Sequence, residues 1–262
     1  MRVATIRRTP ATPYSGLRKA TATRPAQRWT AAALGVLAVA LFVLAATTLP
    51  SRLLLLSGNA VREALLAGKD VTDERLNDFI AGRERAAALR ATGEILDDLS
   101  LAAFQRAQRQ GLNTPQGQQD LAQALVWQRQ SLGRAPANSY GWIHLARLLL
   151  QTEGPSDQAA SALARSLETN PHEPRLALAR LNMAVLLLDH LDKDAKARIP
   201  AIVRDNWHRN PKALAKAAQD NHYVSIVESA LAEDERALND FQALLTPVAP
   251  AKSLRSGADA KK

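Results

Sequence analysis

The 262-residue chain is 47% apolar, 23% charged and only 4% aromatic, enough apolar material for one ordinary domain or two small ones. It has no cysteine, which excludes disulfides, thiolate nucleophiles, Cys-ligated zinc and iron–sulfur clusters. The net charge of +9 suggests nucleic acid, but its distribution excludes a basic binding face. Residues 1–29 carry seven of the 34 basic residues and no acid, leaving 27 basic against 25 acidic in the remainder.

Those seven charges are Arg2, Arg7, Arg8, Arg18, Lys19, Arg24 and Arg28, a basic tail over 1–29. Residues 30–50 follow with no charge at all, from Thr30 through Leu49 to Pro50. At ~1.5 Å per residue this run spans roughly 30 Å, the hydrocarbon thickness of a bilayer. Trp29 stands at an interfacial position, and the positive-inside rule places the tail in the cytoplasm and all that follows Pro50 across the membrane. Cleavage as a signal peptide near Ala45-Ala46 is the competing reading, opposed by the length of the basic region and of the apolar run.

A juxtamembrane segment, 51–72, leads into a helical domain over 73–245. Unbranched residues and alanine dominate, Gly and Pro are sparse at 12 and 13, and the apolar period from Val61 onward is near 3.6. Thr72 or Asp73 caps a helix carrying Leu76, Phe79 and Ile80. A second runs from Ile95 to about Gly111, Asn113-Thr114-Pro115 breaks the chain, and a third covers about 118–133. Ala124–Pro136 aligns with Ala159–Pro171 at a spacing of 35, placing Ser131-Leu132 on Ser166-Leu167. Trp142, Leu145, Ala146 and Leu149 between them match the first helix of a tetratricopeptide (TPR) unit. Pro174–Leu191 then reads as one long helix, apolar all round and central, with Pro200 interrupting the segment after it. Short helices follow over about 212–219, 224–232 and 235–245, and the small, polar residues 246–262 predict disorder. The expected fold is all-α: one N-terminal transmembrane helix followed by an irregular TPR-like helical-hairpin domain.

No catalytic, metal or cofactor motif stands out. The five histidines lack i, i+4 pairing, there is no HExxH, and no glycine-rich phosphate loop or G-x-S-x-G elbow occurs. His190 with Asp189 and Asp192 reads as a solvated helix end, and the adjacent acids Asp97-Asp98 as solvated faces. Trp127, Trp142 and Trp207 read as core, with sugar stacking as the alternative. Arg147, Arg165, Arg175 and Arg180, together with Trp142, form the candidate interaction surface on which carboxylates or phosphates could be held. Ordinary helix-surface arginine is the simpler account of the four.

The runs SLETNPHEPRLALARLNMAVLL (Ser166–Leu187) and NWHRNPKALAKAAQ (Asn206–Gln219) resemble VpsP-type proteins associated with polysaccharide biosynthesis and export, as does APANSYGWIHLARLLL upstream. The resemblance covers roughly Asp73 to Leu245, and Asn170 departs from the glycine more usual there. It implies a single-pass inner-membrane protein with a periplasmic helical domain, acting as scaffold or accessory to protein partners of an envelope polysaccharide machine. A TPR-type envelope chaperone or assembly factor shares this architecture and is the second reading. A glycan-modifying hydrolase ranks last, because no pair of carboxylates announces itself.

Overall fold

The structure, a computed structural model, describes residues 25–56 and 58–245; the side chains at 25–28, 31 and 47–54 lie outside that description. Most of the basic tail and the whole 246–262 segment therefore fall outside it. Among the described residues every regular element is a helix and there is no strand.

The chain divides into two units, 1–47 and 48–262. Helix α1 (Pro25–Leu56) starts in the first and ends in the second. In the first unit Leu34, Val36, Leu37, Val39 and Phe42 are all more than half exposed. Steps of 100° place these positions around the whole circumference, so the helix has no polar side. Among the described residues no helix is long and apolar enough to cross a membrane. The stretch of α1 with described side chains, Ala32–Ala46, covers only roughly 22 Å of the ~30 Å required, and the rest of the expected 30–49 span lies outside them.

In the second unit come α2 (Asn59–Leu66), α3 (Asp73–Arg90), α4 (Gly93–Gln110), α5 (Pro115–Arg134), α6 (Ser139–Glu153), α7 (Asp157–Thr169), α8 (Ala177–Leu186), α9 (Lys193–Arg209), α10 (Pro211–Asp220), α11 (Val224–Leu231) and α12 (Glu235–Leu244). Eight of these open on a Ser, Thr, Asn or Asp side chain that accepts from the backbone N–H three residues on, Thr72, Thr92, Thr114 and Asn138 among them. Each cap satisfies one amide that the helix itself leaves without an acceptor. Pro115 and Pro211 occupy first helical positions, where the missing N–H costs nothing.

Polar bonds across α4 and α5 give their direction. Ser131 Oγ donates to Gly93 O (2.7 Å), Gln128 Nε2 to Asp97 Oδ1 (2.9 Å), Ser100 Oγ to Ala124 O (2.8 Å), and Arg106 bidentately to Asp120 (2.7 and 2.6 Å). One partner's number rises as the other's falls, so the pair is an antiparallel hairpin. At its tight end a Cβ on Gly117 would stand 2.1 Å from Gly111 O. That atom is backbone and cannot swing aside. Gly117→Ala is expected to lower stability by about 2 kcal/mol, read as a shift in the denaturation midpoint; an unchanged midpoint would deny the close approach.

The 35-residue repeat has a concrete structural meaning. Ser131 donates to the carbonyl of the first residue of α4, and Ser166 donates to Ser139 O, the first residue of α6, at 2.8 Å. The repeated serine thus closes two successive hairpins, α4–α5 and α6–α7, by the same joint, an arrangement consistent with a TPR-like helical domain.

Two expectations are corrected. The helix predicted over Pro174–Leu191 is only α8, followed by a single 3-10 turn at Leu188–His190, and it is not buried all round: Leu186 is 57% exposed. Pro200 does not interrupt a helix but lies within α9. Burial of Ile199 and Val203 on the core face offsets the hydrogen bond that proline cannot make.

Candidate functional site

Helix α6 has two apolar faces. Leu145, Ala146, Leu148 and Leu149 are buried in the core. On the other side Tyr140, Ile143, His144, Arg147, Leu150 and Gln151 recur at helical spacing along a cavity of about 390 Å³. Helix α8 and the residue before it contribute a second stripe, Leu176, Ala179, Asn182, Met183 and Leu186, also at three- and four-residue steps. Asp97 and Leu101 of α4 and Leu65 and Leu66 of α2 complete the walls. The result is an open trough whose α6 stripe runs roughly 16 Å at ~1.5 Å per residue.

A fixed set of polar groups interrupts the apolar lining. The Ser100 hydroxyl spends its proton on Ala124 O, so its contact with His144 Nε2 (3.1 Å) requires Nε2 to carry hydrogen. Nδ1 is then the lone-pair nitrogen. Among the described residues the one sealed side-chain polar atom without a partner is Gln128 Oε1. The ring packs edge-on against Phe104, with centroids 5.7 Å apart. Burial, with the Arg147 charge adding to it, pushes His144 from 6.5 down to about 3.

The unfolded chain protonates this residue below 6.5 whereas the folded chain resists until about 3, so stability is full above 6.5 and declines as pH falls towards 3. His144→Phe, which keeps a ring against Phe104, should flatten that acid decline. Urea midpoints at about pH 7 and about pH 4.5 for both proteins measure it, and parallel declines would contradict the assignment.

Asp97 is buried, accepts from Gln128 Nε2, and is pushed above the usual carboxylate range by that burial. Asn182 Oδ1 accepts from the Tyr223 hydroxyl (2.7 Å), leaving the Asn182 NH₂ as a donor. Arg147 is exposed, lies 5.5 Å over the Phe104 ring, and has no ion-pair partner among the described residues.

A second polar centre holds the wall formed by α2. Arg62 Nε and Arg83 Nε each donate to one oxygen of Asp98 at 2.7 Å, and Arg83 Nη1 donates to Leu55 O at 3.1 Å. The Arg83 guanidinium also sits 4.4 Å from the Phe79 ring centroid. The end of α1, α2, α3 and α4 thus meet at one carboxylate. The expectation that Asp97 and Asp98 are solvated is wrong: both are buried, at 6% and 1% exposure, because each finds donors on another helix.

The predicted interaction surface is not brought together. Arg147 alone of its five residues lines the trough. Trp142 is half-buried against the core, its indole N–H donating to Pro136 O at 2.7 Å. Arg165 is exposed and pairs with Glu168 at 3.3 Å beside a separate shallow cavity that also includes Asp157 and His190. Arg175 is exposed, its backbone N–H donating to Glu173. Arg180 is 1% exposed and gives its guanidinium to Asn170 O (2.8 Å), Ser166 O and Ser166 Oγ, so it caps the C-terminus of α7 rather than facing a ligand. Trp127 and Trp207 are half-buried too, Trp207 edge-on to Phe241. His190 Nδ1 lies 2.8 Å from Asp157, and no cluster of three or more potential metal ligands occurs among the described residues.

Sequence reasoning missed Tyr140, Ile143, His144, Asn182 and Met183. The signal was present in SYGWIHLARLLLQ, whose apolar positions span an arc wider than one core face requires. Comparison with protein-family models, curated proteins and solved structures found no match to the chain.

Proposed function

We propose that the chain is a membrane-tethered scaffold, anchored through the apolar segment of α1, with its basic tail in the cytoplasm and its helical domain in the periplasm. The domain acts there by binding a protein partner. The observation that carries the binding reading is the trough: α6 and α8 direct stripes of side chains, with residues of α2 and α4 closing the walls, into a space that no described part of the chain fills. Tethering is supported by α1, whose apolar side chains stand outward on every side and require an apolar medium. The resemblance in Ser166–Leu187 and Asn206–Gln219 supports placing the partner in an envelope polysaccharide machine.

The absence of cysteine makes the topology directly measurable. In intact cells a membrane-impermeant maleimide should label Glu233→Cys and leave Ser15→Cys unlabelled until the membrane is broken. Equal labelling of the two would reject the anchor. The partner class is tested by capturing the full chain from detergent-solubilised native membranes. Glycosyltransferases, chain-length regulators or export components are the expected companions. Cytochrome-maturation or outer-membrane-protein chaperone factors in their place would favour the envelope assembly factor.

A further inference from the structure

We infer that the trough between α6 and α8 receives an amphipathic helix of a partner protein, with a carboxylate at the edge of its apolar face meeting Arg147. The inference rests on the binding-module reading above and specifies the chemistry of its ligand.

Shape argues for a helix. Ile143, Arg147 and Leu150 of α6 and Ala179, Met183 and Leu186 of α8 line the two long walls at three- and four-residue spacing, Met183 buried at the floor and Ala179 and Leu186 exposed, the pattern into which another helix's ridges pack. The α6 stripe is roughly 16 Å long, about three turns of a docked helix. Leu186 and Leu66 are 57% and 42% exposed on its walls, so apolar surface here awaits cover.

Charge argues for the carboxylate. Arg147 has no ion-pair partner among the described residues, and the Asn182 amide, whose oxygen accepts from Tyr223, adds a second donor on the lining. Asp97, the acid on this wall, is already engaged by Gln128 and withdrawn into the protein. The chain's own ends have the wrong sign. Residues 1–29 contain no acid, and 246–262 carry Lys252, Arg255, Lys261 and Lys262 against Asp259. An anionic partner segment matches the site where these tails would be repelled.

The test uses the full chain in nanodiscs and a displayed library of helical peptides. Leu, Ile or Met is held at i, i+3, i+4 and i+7, and the flanking positions vary among Glu, Gln and Lys. Selection should return peptides with Glu beside the apolar face. Arg147→Gln should weaken their binding roughly tenfold, as for a lost charged hydrogen bond, and Arg147→Glu should prefer Lys-bearing peptides instead. Ala179→Trp, at an exposed position on the wall of the trough, should abolish binding without altering helix content. Failure to select a binder, binders indifferent to both substitutions, or a preference for Lys by the unaltered chain would overturn the inference. So would laurate bound in place of peptide, or a dimer of this chain that Ala179→Trp dissolves. Membrane capture distinguishes the two levels. If the Arg147→Glu, Ala179→Trp double variant retains every companion of the parent chain, scaffolding stands and the trough is not its docking site.

Discussion

Replacing Asp98 with alanine is expected to destabilise the folded domain by about 3–5 kcal/mol, measured by urea denaturation of the chain in detergent. The carboxylate is 1% exposed and receives Nε–H from both Arg62 and Arg83, while Arg83 is itself 2% exposed. Removing the acid leaves a buried guanidinium whose remaining partners are Leu55 O and the Phe79 ring. Most of the loss is the desolvation of that stranded charge rather than the worth of the ion pair. Arg83→Met in the same background should therefore recover much of it, because charge and counter-charge are then both absent. If the double variant were no more stable than Asp98→Ala, the stranded charge would not be the cause. Equal stability of Asp98→Ala and the parent chain would remove the node from the account altogether. The same change should loosen α2, so faster amide exchange over 59–66 is expected alongside the stability loss.

Arg180→Met should cost about 2–4 kcal/mol, the second large effect. The methionine fills part of the volume but donates no hydrogen bond, so at the end of α7 Ser166 O keeps only the longer bond from Thr169 Oγ1 (3.3 Å) and Asn170 O only that from Glu173 N (3.4 Å). The positive charge that complements the C-terminal end of that helix disappears as well. Arg180→Lys is the informative control. It keeps the charge but not the planar fork, and should recover less than half of the loss. Arg165→Met, on the exposed face of α7, should change stability by under about 0.5 kcal/mol. A similar cost at the two positions would mean that Arg180 is a surface residue, as its sequence context suggests.

Arginines show where sequence legibility ended. Arg147, Arg165, Arg175 and Arg180 look alike in a one-dimensional reading, each a basic residue at or near a helix. Only the packing of α8 against the end of α7 separates Arg180 from the rest, and only the opening between α6 and α8 gives Arg147 an apolar surround. Asp97 and Asp98 teach the same lesson. Their donors lie on other helices, at Gln128, Arg62 and Arg83, and no local pattern announces partners 31, 36 and 15 residues away.

What the amino-acid sequence by itself determined is the set of local decisions. All-helical composition, the cap at Thr72, the Asn-Thr-Pro break before α5, the serine repeat at 131 and 166, and the apolar character of α1 all depend on residues within a few turns of one another. Tertiary structure decided which helix faces remain without a partner. It ended α8 early, carried α9 through Pro200, buried the charged node at Asp98, and left the second face of α6 lining the trough. The physical reason is range: capping and helix period act over three or four residues, whereas burial and charge pairing are fixed only when distant segments compete for the same surface.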